Sequence, residues 1–158
     1  MRQDFDVTAK ARLEALYREH GERVWWAAFA YSRDREVASD AVAEAFALAL
    51  ARDDLRDPLA WIWKVTFRVA TRELKLRRRT SDVSMPDREV YADEEAADVA
   101  GALAALSRRQ REAVLLHYYG GYSVKEVASM LGAATPTVRV HLHRGRERLR
   151  MMLGGERG

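Results

Sequence analysis

At 158 residues, 48 % hydrophobic and 32 % charged, the chain has room for one ordinary domain or two small helical ones, and too little for a large multilayered enzyme. Its formal net charge of only +3 conceals a strong segregation of acids from bases along the sequence. The absence of cysteine excludes disulfides, thiolate metal sites and cysteine nucleophiles, and suits a reducing cytoplasm.

The start, Met1 to Asp4, opens no apolar signal segment. The longest apolar run, Val24 to Tyr31, has eight residues against the roughly 20 that a bilayer span needs. A cytoplasmic protein without membrane insertion is expected. No strand-like alternation of useful length occurs, and helical spacing recurs throughout, which predicts an all-α fold.

The first helix is predicted from about Thr8 to Tyr31, on Leu13, Leu16, Tyr17, His20, Val24, Ala28 and Tyr31. Asp34 can cap the second, with Glu36 in its first turn, where negative charge suits the helix dipole. The buried stripe of that helix reads Val37, Ala41, Val42, Ala45, Phe46 and Ala49. A short polar stretch, Ala51 to Arg56, precedes Asp57-Pro58, a helix start in which Asp caps free amides and Pro fits the first turn. The third helix is predicted from Pro58 to about Arg79, on Leu59, Ile62, Val65, Val69 and Leu76.

Lys64, Arg68, Arg72, Lys75 and Arg79 fall within about 80° of one another on that helix, a row roughly 22 Å long that can follow a nucleic acid backbone. Trp61 and Trp63 flank its start; either packs in a core or offers a stacking surface for an unpaired base.

Thr80 to Asp98 carries seven acids against one base, a Pro and no sustained periodicity, and reads as an extended linker whose last residues start the next helix. Four helices are expected beyond it. Val99, Leu103 and Leu106 mark the first. Ser107 with Gln110 forms a capping box opening the second, with Val114, Leu115 and Tyr118 apolar and Gly120-Gly121 as its stop. Ser123 with Glu126 opens the third, which closes at Gly132. Thr135-Pro136 opens the fourth, which reaches about Met151.

Val127, Ala128, Leu131, Gly132, Val138 and Leu142 match a helix-turn-helix: a small residue where the backbones approach, and Gly at the turn. The last helix is expected to bury Val138, Leu142, Gly145 and Leu149. Thr137, Arg139, Val140, His143, Arg144 and Arg146 lie on its opposite side and flanks. From Pro136 onward there are six Arg against two Glu. Arg139 and Arg144 can donate in pairs to guanine, and Val140 can meet a thymine methyl.

His141 and His143 point about 200° apart, so they do not share a metal. His20 and His117 sit on or near apolar stripes as packing residues. No catalytic constellation can be assembled, and no enzyme activity, metal or cofactor is expected.

These residues resemble the extracytoplasmic-function (ECF) group of bacterial RNA polymerase sigma factors. Residues 1–80 resemble sigma domain two in Leu13 to His20, in Asp34-Arg35-Glu36, in Asp40 with Glu44 and Phe46, and in Asp57 to Trp61. Residues 98–158 resemble domain four in Leu106 to Ala113, Tyr122-Ser123 to Leu131-Gly132, Thr137 to Arg139 and Leu142 to Arg144. Residues 81–97 are the acidic linker between these two small helical domains.

The resemblance implies that Asp40, Glu44 and Phe46 dock on the clamp of the largest polymerase subunit, with the flap of the second-largest subunit as a further contact. It implies that the loop from Ala51 to Asp57, with Arg52, and the third helix open and read the −10 promoter element through Trp61, Lys64, Arg68, Arg72, Lys75 and Arg79. The last helix then reads the −35 element through Thr137, Arg139, Val140, His143, Arg144 and Arg146. An anti-sigma factor is an implied partner.

The chain departs from the family pattern at Ala43 (usually Gln), Leu50 (usually Trp), Phe67-Arg68 (often Arg-Asn), Arg72 (an acid), Pro136 (often Gly) and Val140 (often small). An unusual promoter preference is the expectation. A free-standing helix-turn-helix regulator and a sigma mimic that occupies an anti-sigma factor are the competing readings.

Overall fold

The computed structural model describes residues 2–80 and 94–154, with side chains from Val7 onward. All regular structure among these residues is helical: α1 (Arg2–Ser32), α2 (Arg35–Leu50), α3 (Pro58–Arg79), α4 (Glu94–Ala104), α5 (Arg108–Val114), α6 (Val124–Leu131) and α7 (Thr135–Gly154). The chain divides into two compact units, residues 1–29 with 35–83 and residues 30–34 with 84–158. Most of the acidic segment, residues 81–93, lies outside the described residues.

In the first unit, α1 begins at Arg2, earlier than the predicted Thr8. No Gly or Pro interrupts residues 2–20, so nothing local stops the helix there. It ends where Arg33 takes a left-handed φ of 58°, a conformation that side chains other than Gly rarely adopt. On α2 the predicted stripe is buried at Val37, Ala41, Val42, Ala45 and Ala49, with Ala38 added, while Phe46 is only half-buried.

Asp57 caps α3 as expected, its carboxylate accepting from Ala60 N at 3.1 Å, with Pro58 in the first turn. The buried face of α3 is wider than the predicted stripe and includes Ile62, Trp63, Val65, Thr66, Phe67, Val69 and Ala70. Trp63 is therefore a core residue, which removes it as a stacking surface. Leu76, expected in the stripe, is 48 % exposed, next to the basic last turn of α3. Thr66 satisfies its buried hydroxyl by donating to Ile62 O at 2.7 Å.

In the second unit, α4 starts at Glu94, so the last residues assigned to the linker are helical, and Ala97, Ala100, Ala102 and Leu103 are buried. Val99, predicted as a core mark, is 40 % exposed. Both capping boxes form. Ser107 Oγ accepts from Gln110 N at 3.2 Å and Gln110 Oε1 accepts from Ser107 N at 3.2 Å. Ser123 and Glu126 repeat the arrangement at 3.1 and 3.0 Å.

The helix begun at α5 does not end as a plain α-helix. Leu115–Tyr119 forms a π-helical turn, closed by Gly120 N donating to Leu115 O at 2.8 Å, and Gly121 at φ 78° then reverses the chain. The wider turn shifts the register: Leu116 is fully buried, and Tyr118, predicted apolar and inward, is 52 % exposed.

Helices α6 and α7 form the helix-turn-helix. Gly132 at φ 63° ends α6 in a Schellman arrangement, with Gly132 N donating to Ser129 O at 3.3 Å and Ala133 N to Ala128 O at 2.9 Å. Val127, Ala128 and Met130 are buried on α6; Leu131, expected among them, is half-buried. On α7, Val138, Leu142 and Gly145 are buried and Leu149 is half-buried. The predicted stripe holds, and Gly145 faces Val114 and Gln110 of α5.

Candidate nucleic-acid interface

All six residues named on the last helix, Thr137, Arg139, Val140, His143, Arg144 and Arg146, are exposed along α7. They do not form one strip. At 100° per residue, Val140, His143 and Arg144 point within about 60° of the direction opposite the buried stripe, whereas Arg139 and Arg146 lie about 90° or more from it, on one flank. Thr137 lies on the other flank. An outward-facing set and a flanking cationic set are therefore both present on one helix.

The side chains around this helix are held by neighbours. Arg109, from the start of α5, donates to Leu131 O at 3.3 Å and pairs with Glu112 at 3.3 Å, tying α5 to the end of α6. Glu112 is buried, and burial raises its carboxyl above the ordinary value against the pull of Arg109 and Arg108. Arg146 Nη1 donates to Tyr118 Oη at 2.8 Å. Glu147 pairs with Arg150 at 3.1 Å, so this acid faces a base of its own helix.

His141 is half-buried on the shoulder of α7, and its imidazole is held below the ordinary value of 6.5 by burial first, then by Arg109 and Arg144. Folding thus disfavours its cation. Its contribution to stability is full above pH 6.5 and is lost as the pH falls through the lower folded value. An imidazole titration followed by NMR should show a midpoint below 6.5, moving up in Arg144→Ala as one of the two cations is removed. A midpoint unchanged by that substitution would separate His141 from Arg144 electrostatically.

On α3, Lys64, Arg68, Lys75 and Arg79 form no ion pair among the described residues. Arg72, the middle of the predicted row, is engaged: its Nη2 lies 2.6 Å from Glu44 Oε2 and 3.4 Å from Glu73 Oε1. These partners raise its pKa further, Glu44 first. Arg77 likewise reaches Glu36 at 3.4 Å. The acids of α2 thus hold one edge of α3, and the cationic row is interrupted at its centre.

Trp61 is half-buried and lies in the same angular range as the row. Arg52, from the loop before α3, stacks over the Trp61 ring at 5.5 Å and is chelated by Asp54 at 3.0 and 2.8 Å. This pairing lowers the carboxyl of Asp54 and raises the guanidinium of Arg52. The stacking surface therefore has an arginine already upon it.

The three residues named for polymerase docking are not brought together. Asp40 and Glu44 share one face of α2, one turn apart, while Phe46 points about 120° from Asp40 and about 160° from Glu44. Phe46 meets the ring of Tyr17 edge-on at 5.2 Å and lines an open groove with Leu13, Ala47 and Leu50. Leu50 is half exposed and Tyr17 is 59 % exposed. The helical period expected Tyr17 to be covered, and the period carries no signal for an apolar stripe left open.

Among the described residues no group of His, Asp and Glu could hold a metal, and no helix is long and apolar enough to cross a membrane.

The family model described as "Sigma-70, region 4" matches residues 97–149, a stretch that contains the helix-turn-helix. The chain is 31 % identical over 159 aligned positions to the ECF RNA polymerase sigma factor SigL of Mycobacterium tuberculosis, covering 90 % of this chain and 89 % of the relative. Among solved structures, CnrH in complex with the cytosolic domain of CnrY superposes with a TM-score of 0.74 at 23 % identity, over 97 % of this chain and 94 % of that one. The sigma factor RpoE in complex with the anti-sigma factor NepR, from Bartonella quintana, gives 0.68 at 22 % identity, over 96 % and 98 %. These two likenesses carry the helical fold. With a relative of that identity matched over nearly its whole length, the chain belongs to the ECF RNA polymerase sigma factors.

Proposed function

We propose that this sigma factor joins core RNA polymerase and directs it to promoters through two DNA contacts, one from each unit. The observation that carries the reading is the exposed cationic face of α7 on a helix-turn-helix whose buried side is apolar. Residues 98–158 take the −35 element, with Val140, His143 and Arg144 toward the bases and Arg139 and Arg146 toward phosphates. Residues 1–80 take the −10 element along Lys64, Arg68, Lys75 and Arg79, with Arg72 braced against Glu44. Each contact is weak alone, and the chain between them raises the effective concentration of the second once the first is made.

Core polymerase docks on α2 through Asp40 and Glu44. The apolar groove with Phe46 takes a separate contact, suited to an apolar face of a protein partner. That partner is the polymerase or an anti-sigma factor, such as the NepR bound to RpoE of Bartonella quintana. Trp61 receives an unpaired base once Arg52 leaves its face.

Run-off transcription with purified core polymerase and genomic promoter fragments tests the proposal. Specific transcripts that need this chain are expected. Tight binding to a palindromic duplex without polymerase would instead identify a free-standing regulator, and failure to join core enzyme while retaining an anti-sigma factor would identify a mimic. Lys75→Ala should weaken all promoters alike and reduce the salt slope of binding by about one. An unchanged slope would remove Lys75 from the phosphate row.

A further inference from the structure

We infer that Tyr118 is a positioning residue for Arg146, and that the two together form a donor pair for one backbone phosphate of the DNA that α7 enters. The inference rests on the reading of α7 as a duplex-binding helix and adds a residue from outside it.

The pair is built by the π-helical turn Leu115–Tyr119. A plain α-helical register would carry its residues past different directions, whereas the wide turn leaves Leu116 in the core and Tyr118 outside. The turn is fixed from both ends. Gly120 N donates to Leu115 O at 2.8 Å and Tyr122 N to Leu116 O at 3.1 Å. His117 packs edge-on against the Tyr118 ring at 4.8 Å, and its Nδ1 lies 2.7 Å from Tyr122 O, so the ring beside Tyr118 is itself anchored. An exposed tyrosine is thus held in place at no expense of core packing.

From there the phenol oxygen accepts from Arg146 Nη1 at 2.8 Å, across 28 residues of sequence. The chemistry of this contact differs from that of a salt bridge. A carboxylate partner would cancel the charge of the guanidinium; a neutral hydroxyl orients it and leaves the full positive charge available. No ion pair engages Arg146 among the described residues, and the nearby acid Glu147 is turned to Arg150. Because the phenol oxygen accepts from Arg146, its own proton is free to donate. The Tyr118 O–H and the remaining N–H groups of Arg146 therefore start from neighbouring atoms and can meet on one anionic oxygen. On the flank of a helix seated in a groove, that oxygen belongs to the phosphodiester backbone.

The test uses the full chain and a short mixed-sequence duplex, with affinity followed by fluorescence anisotropy across a potassium chloride series. Tyr118→Phe keeps the ring and removes the hydroxyl. It should weaken binding about fivefold in the otherwise unchanged chain and have no further effect in Arg146→Ala, while its thermal midpoint stays that of the parent. Arg146→Ala should reduce the salt slope by about one. Parent-like binding by Tyr118→Phe, or an equal loss with and without Arg146, would overturn the pair. If at the same time Arg139→Ala weakens binding, the reading of α7 stands without it. If none of the arginine variants changes affinity, α7 does not meet duplex DNA and both fall.

Discussion

Gly145→Val is expected to destabilise the C-terminal unit by about 3 kcal/mol, an overpacking loss at the upper end of the usual range. Gly145 is buried on α7, and a Cβ there would lie 2.9 Å from Val114 Cγ2 and 3.8 Å from Gln110 Cβ. A helical glycine replaced by another residue normally gains a few tenths to about 1 kcal/mol of propensity. Here the clash outweighs that gain, because Val114 is itself buried with nowhere to retreat. In a unit of this size the loss corresponds to a fall of more than about 10 °C in the melting midpoint, measured by far-ultraviolet circular dichroism. Val114→Ala removes the opposing methyl and should restore part of the loss when combined with Gly145→Val, although alone it destabilises. A parent-like melt of Gly145→Val would mean that α5 and α7 are not packed at this distance. On the proposed reading, DNA binding should fail together with folding in that variant, since α5 packs against α7.

Arg144→Ala is expected to leave the fold intact and to cost about 1–3 kcal/mol at one position of the −35 element. The side chain is exposed, makes no ion pair among the described residues, and lies on the side of α7 opposite its buried stripe, beside Val140. A guanidinium there can donate in two parallel bonds to the major-groove edge of a guanine, which alanine cannot do. Binding of holoenzyme to a set of promoters substituted one base at a time would show relaxed preference at a single position. An equal loss on every sequence would place Arg144 on phosphate instead. On the proposed reading, Val140, 45 % exposed on the same face, supplies the apolar contact that a thymine methyl fits.

Much of this site was legible without coordinates because its grammar is local. Ser107 with Gln110, Ser123 with Glu126 and Asp57 before Pro58 satisfy free amides within four residues, and each forms as read. Gly132 marks a left-handed turn that side chains resist, and Val138, Leu142 and Gly145 follow one face of one helix. The positions of the α7 arginines follow from the same period.

The misreadings have a common physical source. Arg72 looked like one of five equivalent cations, but Glu44 lies 28 residues away in sequence, and only the packing of α2 on α3 brings them to 2.6 Å. Asp40, Glu44 and Phe46 were named together only through the resemblance, and the helical period sets Phe46 on a different face of α2 from the acids. Leu76 was expected inside and is 48 % exposed, while of the two readings open for Trp63 the core one holds, because burial depends on where the neighbouring helices reach.

The sequence by itself determined the helices, their caps, the helix-turn-helix and the family, since all of these depend on backbone amides and periodic side chains within a few residues. Only the tertiary structure decided which charges are spent on one another, which aromatic rings are covered, and how the π-helical turn carries Tyr118 to Arg146. Those outcomes depend on distances between groups far apart in the chain, which no local pattern encodes.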